Sequence, residues 1–338
     1  MFGSKKLDIL AVGDITTDAF IRLIPPYAHS RIDRGNLELC MNFGDKIPYE
    51  SVEEINAVGN SPNAAVSAAR IGLSSGLVTD LGDDDNARKC LAVLKKEGVD
   101  TTFVKTHRGK ATNYHYVLWF ESDRTILVKH HDYGRIFPDI GEPKWLYLSS
   151  LGQGTENYHD AIAAHLEKHP AIKLCFQPGT FQIGMGSGRL ARIYKNSELA
   201  VINRFEAGEI LKITGTGETG IKKLLTGISS LGPKTVLITD GPAGAYFYDS
   251  RKGETLFAPP YPDPKPPLNR TGAGDAYAST FVSATILGKT PAEALRFAGI
   301  NSMSVVQQVG AQRGLLHGKD FEPFLAKAPD DYEAAALS

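Results

Sequence analysis

Three cysteines in 338 residues are too few and too scattered for a disulfide framework or a zinc site. Cys40, Cys90 and Cys175 form no CxxC pair, and that sparsity fits a reducing cytoplasm. An excess of either charge is also lacking. The 37 Lys and Arg oppose 38 Asp and Glu, leaving a net charge of −1 and no basic field to hold a nucleic-acid backbone. Long apolar runs are missing as well. Leu7-Asp8-Ile9-Leu10-Ala11-Val12 is ended by Gly13-Asp14 too soon for the apolar region of a signal peptide. No segment approaches the roughly 20 apolar residues that span a bilayer. The expectation is a soluble cytoplasmic protein that partners neither nucleic acid nor membrane. What the chain does have is 42% hydrophobic residues and 34 glycines, enough to bury one large core or two modest ones.

Short apolar runs alternate with stretches of helical period, which predicts an α/β fold on a largely parallel sheet. The runs read as strands are 7–12, 76–81, 144–148, 172–176, 199–202 and 235–239. The stretches read as helices are 61–71, 84–97, 157–168, 220–230, 274–287 and 291–309. Two segments break the rhythm. Residues 19–56 carry Pro25, Pro26, Gly35, Gly44 and Pro48, and residues 104–135 hold the β-rich runs 114–120 and 125–128. Both read as parts of a small β-rich lid on a single domain covering 1–338, since long insertions in compact domains are often active-site lids. The proline-dense stretch 258–267 reads as a stiff connector. The glycine-rich runs 184–188 and 215–220 fit neither a phosphate-binding Walker loop nor a dinucleotide fingerprint, and read as loops.

Thr271-Gly272-Ala273-Gly274-Asp275 leads into a good helix opening, Ala276 to Val282. Small residues leave backbone N–H groups uncovered, and the first helical turn aims several of them outward at an anion. A carboxylate in that turn would lie beside a bound phosphate, where it can accept a proton from an attacking hydroxyl. Alone, the pentapeptide fits equally well an ordinary loop-to-helix junction with Asp275 stabilising the helix start.

Five motifs in order break that tie. The run 269–276 resembles the C-terminal signature of the ribokinase-like (PfkB) carbohydrate kinase family, commonly Asp-Thr-x-Gly-Ala-Gly-Asp-x. Gly59-Asn60-Ser61-Pro62-Asn63, with Gly72 nine residues after Asn63 and Gly82 ten further on, resembles its N-terminal signature. Gly13 to Asp18 is similar to the first-strand end that carries a substrate-binding aspartate. Asn203-Arg204-Phe205-Glu206 looks like the family's Asn-x-x-Glu motif, and Thr239 to Gly244 like its nucleotide loop. The resemblance spans about residues 8 to 311 and implies a ribokinase-like fold.

It also implies roles. Asp275 would be the base, with the N–H groups of Gly272, Ala273 and Gly274 forming an anion hole. Asp18, Gly59, Asn60 and Asn63 would bind substrate. Asn203, Thr239, Gly241, Gly244 and Asn301 would contact ATP, and Glu206 would help hold Mg²⁺. Some relatives dimerise through the lid, which makes a homodimer plausible. The departures are Val58 for a usual glycine, Asn269 and Arg270 for the usual Asp-Thr, and Gln177-Pro178-Gly179 for a frequent Asp-Pro-Asn. Loss of the carboxylate at Asn269 puts a monovalent cation in doubt. The expected acceptor is a small sugar, ribose- or fructose-like, with a nucleoside as the alternative should Tyr114, Tyr116 and Trp119 stack on a base. Arg124, His130 and His131 raise a sugar acid. A non-catalytic sensor would have no need of Asp275. An oxidoreductase would need a GxGxxG after the first strand, and Gly13-Asp14-Ile15-Thr16 does not provide it.

Overall fold

The computed structural model describes residues 6–33, 36–213 and 218–337. The first half of the chain is strand-rich: β1 (Ile9–Val12), β2 (Thr16–Leu23), β3 (Ala28–Asp33), β4 (Asn36–Met41), β5 (Tyr49–Val58), β6 (Ser75–Leu81), β7 (Val104–Thr106), β8 (Tyr114–Phe120) and β9 (Asp123–Leu127). The second half adds β10 (Trp145–Leu148), β11 (Lys173–Phe176), β12 (Ser197–Asn203), β13 (Thr235–Thr239), β14 (Ala245–Asp249), β15 (Glu254–Ala258) and β16 (Ala335–Ala336). The helices that follow them are α1 (Asn60–Ile71), α2 (Asp85–Lys96), α3 (Glu156–Lys168), α4 (Thr180–Met185) and α5 (Ala191–Asn196). They continue with α6 (Arg204–Leu211), α7 (Glu218–Ser230), α8 (Ala273–Ile286), α9 (Pro291–Val306) and α10 (Phe321–Ala326).

The main sheet runs β16-β15-β14-β13-β12-β11-β10-β1-β6-β7. From β7 to β13 every pairing is parallel, and β14, β15 and β16 extend that edge antiparallel. Strands buried on both faces read as unbroken apolar runs, and β1 shows why. Ile9 and Ala11 face the core shared with α1, α2, α8 and α9, while Leu10 and Val12 face the core shared with α3 and α5. A third cluster packs α6 and α7 on β12 and β13.

The second sheet, β5-β2-β8-β9, stands apart from the first, and β3 and β4 pair only with each other as a hairpin. Most of the strands read from 19–56 and 104–135 fall in this second sheet and the hairpin, with two differences. β2 starts at Thr16 and β5 runs to Val58. β7 is not lid: it pairs with β6 on the main sheet, where Val104 packs against the core. Gly184 is also no loop residue, because it lies inside α4. Of the run 215–220, positions 215–217 lie outside the described residues, and its end opens α7.

Candidate active site

The carboxyl ends of the parallel strands deliver the site, as in open α/β sheets generally. A cleft of about 1040 Å³ lies there, between the main sheet and the second, smaller sheet. One end is polar, with Asp18, Asn60, Asn63, His115, Arg124 and His130. The other runs past Asn203, Thr239, Gly241 and Gly244 to Pro260, Tyr261, Pro262, Met303 and Val306. The loop 271–275 lines the middle.

That loop has the geometry of an anion site. Gly272 caps α8 with φ at 84°, and a Cβ there would collide with Ala311, so only glycine fits. The first N–H groups of a helix have no intrahelical acceptor. Ala273 reaches the Arg270 carbonyl only at 3.5 Å, and the N–H groups of Gly274 and Asp275 find no acceptor among the described residues.

Asp275 is 9% exposed and sits under three amide donors. Asn60 Nδ2 donates to Oδ1 at 2.7 Å, Asn63 Nδ2 to Oδ2 at 2.8 Å, and Gln177 Nε2 to Oδ1 at 3.2 Å. Burial pushes the Asp275 carboxyl above its ordinary value, and the three amides pull it part of the way back. Each hydrogen bond to a charged acceptor contributes about 1.5–3 kcal/mol, so three offset only part of the desolvation cost. Asn60 and Asn63, expected to bind substrate, thus face the carboxylate while also lining the cleft.

Gly59 holds the turn before α1 with φ at 119°, and a Cβ there would come within 2.6 Å of the Asp14 carbonyl. Asp18 on β2 is buried, and its Oδ1 has no hydrogen-bond donor although His115 Nδ1 lies 3.3 Å away. An unsatisfied buried acceptor on a cleft wall is what a substrate hydroxyl would satisfy. Beneath it, Asp14 is fixed by His130 Nδ1 and the Gly152 N–H, each at 2.7 Å, and by Arg135. Burial alone would raise the Asp14 carboxyl, yet His130 and Arg135 together hold it below its ordinary value.

Asn203 and Glu206 form a capping box on α6: Asn203 Oδ1 accepts the Glu206 N–H, and Glu206 Oε2 accepts the Asn203 N–H, both at 2.9 Å. Burial raises the Glu206 carboxyl, and the charge of Asp275 raises it further. A carboxylate kept uncomfortable by another fits a Mg²⁺ ion of the kind held by one carboxylate, waters and phosphates. Among the described residues no three His, Cys, Asp or Glu gather as a protein-only metal cage. Asn269 does not fit a monovalent cation. It is fully buried, its Oδ1 accepts the Thr271 N–H at 2.9 Å, and its amide nitrogen, a donor, is left without a partner.

Asn301 needs correcting. Its Nδ2 donates to Thr280 Oγ1 at 2.7 Å and its Oδ1 accepts the Leu316 N–H at 2.9 Å, with no exposed surface. Both ends of the amide hold α9 to its neighbours, and the cleft wall is made instead by Ser302 and Met303. The three lid aromatics are also turned elsewhere. The Tyr114 hydroxyl donates to Glu54 at 2.6 Å, Tyr116 is half exposed, and Trp119 lies under Arg22 with Nε1 on the Glu121 carbonyl. None of them lines the cleft. Arg124 and His130 do line it, whereas His131 does not. Gln177, Pro260, Pro262 and Pro267 line the cleft and were missed by sequence reasoning. The unusual Gln-Pro-Gly was the only signal for Gln177, and a connector's composition gave none for the prolines.

The family model described as pfkB family carbohydrate kinase matches residues 34–317. The 5-dehydro-2-deoxygluconokinase of Bacillus subtilis is 26% identical over 290 residues, which cover 79% of this chain and 86% of that protein. The structure of Arabidopsis thaliana ribokinase complexed with ribose and ATP superposes with a TM-score of 0.77 at 18% identity, covering 95% of this chain and 99% of the other. The nucleoside kinase of Methanocaldococcus jannaschii gives 0.75 at 16% identity, with 96% and 100% covered. These structural likenesses are of fold.

Proposed function

This chain belongs to the pfkB family of carbohydrate kinases, and from that premise we propose that it moves the γ-phosphoryl group of ATP onto a hydroxyl of a small sugar, with Asp275 as base. The enzyme is a phosphotransferase with an alcohol group as acceptor. The observation that carries the finer reading is Asp275 itself. It is a buried carboxylate in the first turn of α8, beside uncapped N–H groups, between the polar end of the cleft and the end walled by proline, methionine and valine.

In this reading the acceptor sits at the polar end, with its hydroxyls on Asp18 and the amides of Asn60 and Asn63. ATP lies along Asn203, Thr239, Gly241 and Gly244 with its base between Pro260, Pro262 and Met303. Asp275 takes the proton of the attacking hydroxyl, and that oxygen attacks the γ-phosphorus in line. The N–H groups of Gly272, Ala273, Gly274 and Asp275 stabilise the charge of the transferring group. Glu206 would hold Mg²⁺, which supplies charge neutralisation at the phosphates when bound. The lid keeps water from the phosphoryl group.

A sugar is favoured over a nucleoside because Tyr114, Tyr116 and Trp119, the rings that would stack on a base, are absent from the cleft wall. Self-association through the lid belongs to the same reading. Strand register puts Val52, Tyr116 and Leu127 on one face, each about half exposed, and a matching face on a second copy would cover them. An ADP-release assay with ribose, fructose, 5-dehydro-2-deoxygluconate, 2-keto-3-deoxygluconate and adenosine tests the acceptor. Turnover on one of the sugars or sugar acids is expected. Turnover on adenosine alone would replace the sugar by the nucleoside.

A further inference from the structure

Two of the three amides that face Asp275 are themselves held from behind. Gln177 follows β11 directly, and its Oε1 accepts the hydroxyl of Tyr147 at 2.5 Å, while its Nε2 points at Asp275. Asn63 is held the same way: Gln312 Nε2 donates to its Oδ1 at 3.0 Å and to the Ala57 carbonyl at 2.7 Å. An amide can present either its oxygen or its nitrogen to a neighbour. A donor behind the carbonyl removes that choice and leaves the N–H₂ turned to the carboxylate. Tyr147 is well suited to this, because it is fully buried on β10 and burial pushes its phenol far above the ordinary value, so it remains a donor.

We propose that Gln177 is a positioning residue for Asp275, oriented by Tyr147, and that the pair keeps the base ionised and aimed at the acceptor. The proposal rests on the reading of Asp275 as base. The charged and titratable groups around the carboxylate come from several elements. Arg124 of β9 acts on it favourably, and Glu206 of α6 is a second carboxylate in its field. Tyr147 stands behind Gln177 on β10. Of these, Arg124 belongs to the lid and is bonded to its neighbour Asp123. The donors that stay on Asp275 whatever the lid does are therefore Asn60, Asn63 and Gln177. The Tyr147–Gln177 arm lets Gln177, where relatives commonly carry an Asp-Pro-Asn, do this work. Glutamine brings an N–H to the base where an aspartate would bring a second charge.

The test needs no acceptor. Protein labelled with ¹³C at aspartate carboxyl carbons is titrated by NMR, and the Asp275 signal is assigned by its loss in Asp275→Asn. Removal of one charge-assisted donor in Gln177→Leu is expected to raise the Asp275 midpoint by about one pH unit. Tyr147→Phe, at a residue that neither bonds Asp275 nor lines the cleft itself, is expected to raise it by less, in the same direction. Retention of ATP-dependent thermal stabilisation shows that each variant is folded. Should Gln177→Leu misfold, the Tyr147→Phe shift decides alone. An Asp275 midpoint unchanged in the folded variants overturns the inference and leaves the proposed base intact. If Asp275→Asn turns over normally, the base reading fails independently of these midpoints.

Discussion

In the proposed reaction Asp275 joins two requirements that oppose each other. A base must be ionised at working pH, and a phosphoryl-transfer site must exclude water, which disfavours ionisation. The site answers with three amides bonded to the carboxylate, which offset burial only in part, so it keeps proton affinity above that of a free aspartate. The sign of the pH dependence follows. Only the ionised form accepts a proton, and its folded-state value lies above the ordinary 3.8. Activity should therefore hold at neutral pH and fall as pH drops through a value higher than 3.8. A kcat profile on the acid side, measured where the fold is intact, checks this; a plateau reaching down to that value would contradict it. Glycines were the legible part of the site, since a positive φ at Gly59 and Gly272 is a demand that sequence can display. Gln177 was not legible, because its meaning comes from lying beside Asp275, 98 positions away in the chain.

At the scale of elements, strands buried on both faces and amphipathic helices were readable from their periods. β13 spans Thr235–Thr239 as read, and α8 and α9 begin within one residue of their expected starts. β14 and β15 were missed, because Ala245–Asp249 and Glu254–Ala258 are short runs whose partners are supplied by an antiparallel meander. β7 was drawn into the lid for a similar reason, its three residues having no period of their own. Asn301 shows the opposite failure. A polar residue on α9 suggested a ligand, and the packing of α8, α9 and the segment at Leu316 claims both its polar atoms. Asn301→Ala should accordingly cost about 1–3 kcal/mol of stability, the usual penalty for orphaned buried partners. The KM for ATP should be unchanged. Denaturant unfolding together with steady-state kinetics checks it, and a raised KM with unaltered stability would return Asn301 to the nucleotide site.

At the scale of the molecule, the described residues form an α/β body with the cleft at one end of the main sheet and a second, smaller sheet along it. No helix among the described residues is long and apolar enough to cross a membrane. The outer face of the smaller sheet carries Val52, Tyr116 and Leu127 half exposed, and the proposed self-association predicts a dimer in sedimentation equilibrium that Tyr116→Lys with Leu127→Lys converts to monomer. A wild-type monomer at all concentrations would contradict it. The division of labour across the cleft predicts that binding and chemistry separate. The measurement that tests this most directly is single-turnover transfer from γ-labelled ATP to the best acceptor of the panel by wild type and Asp275→Asn, alongside ATP binding by both. The variant should bind ATP as wild type does and lose about 10²–10⁴-fold in transfer rate. Transfer at the wild-type rate would remove Asp275 from the role of base.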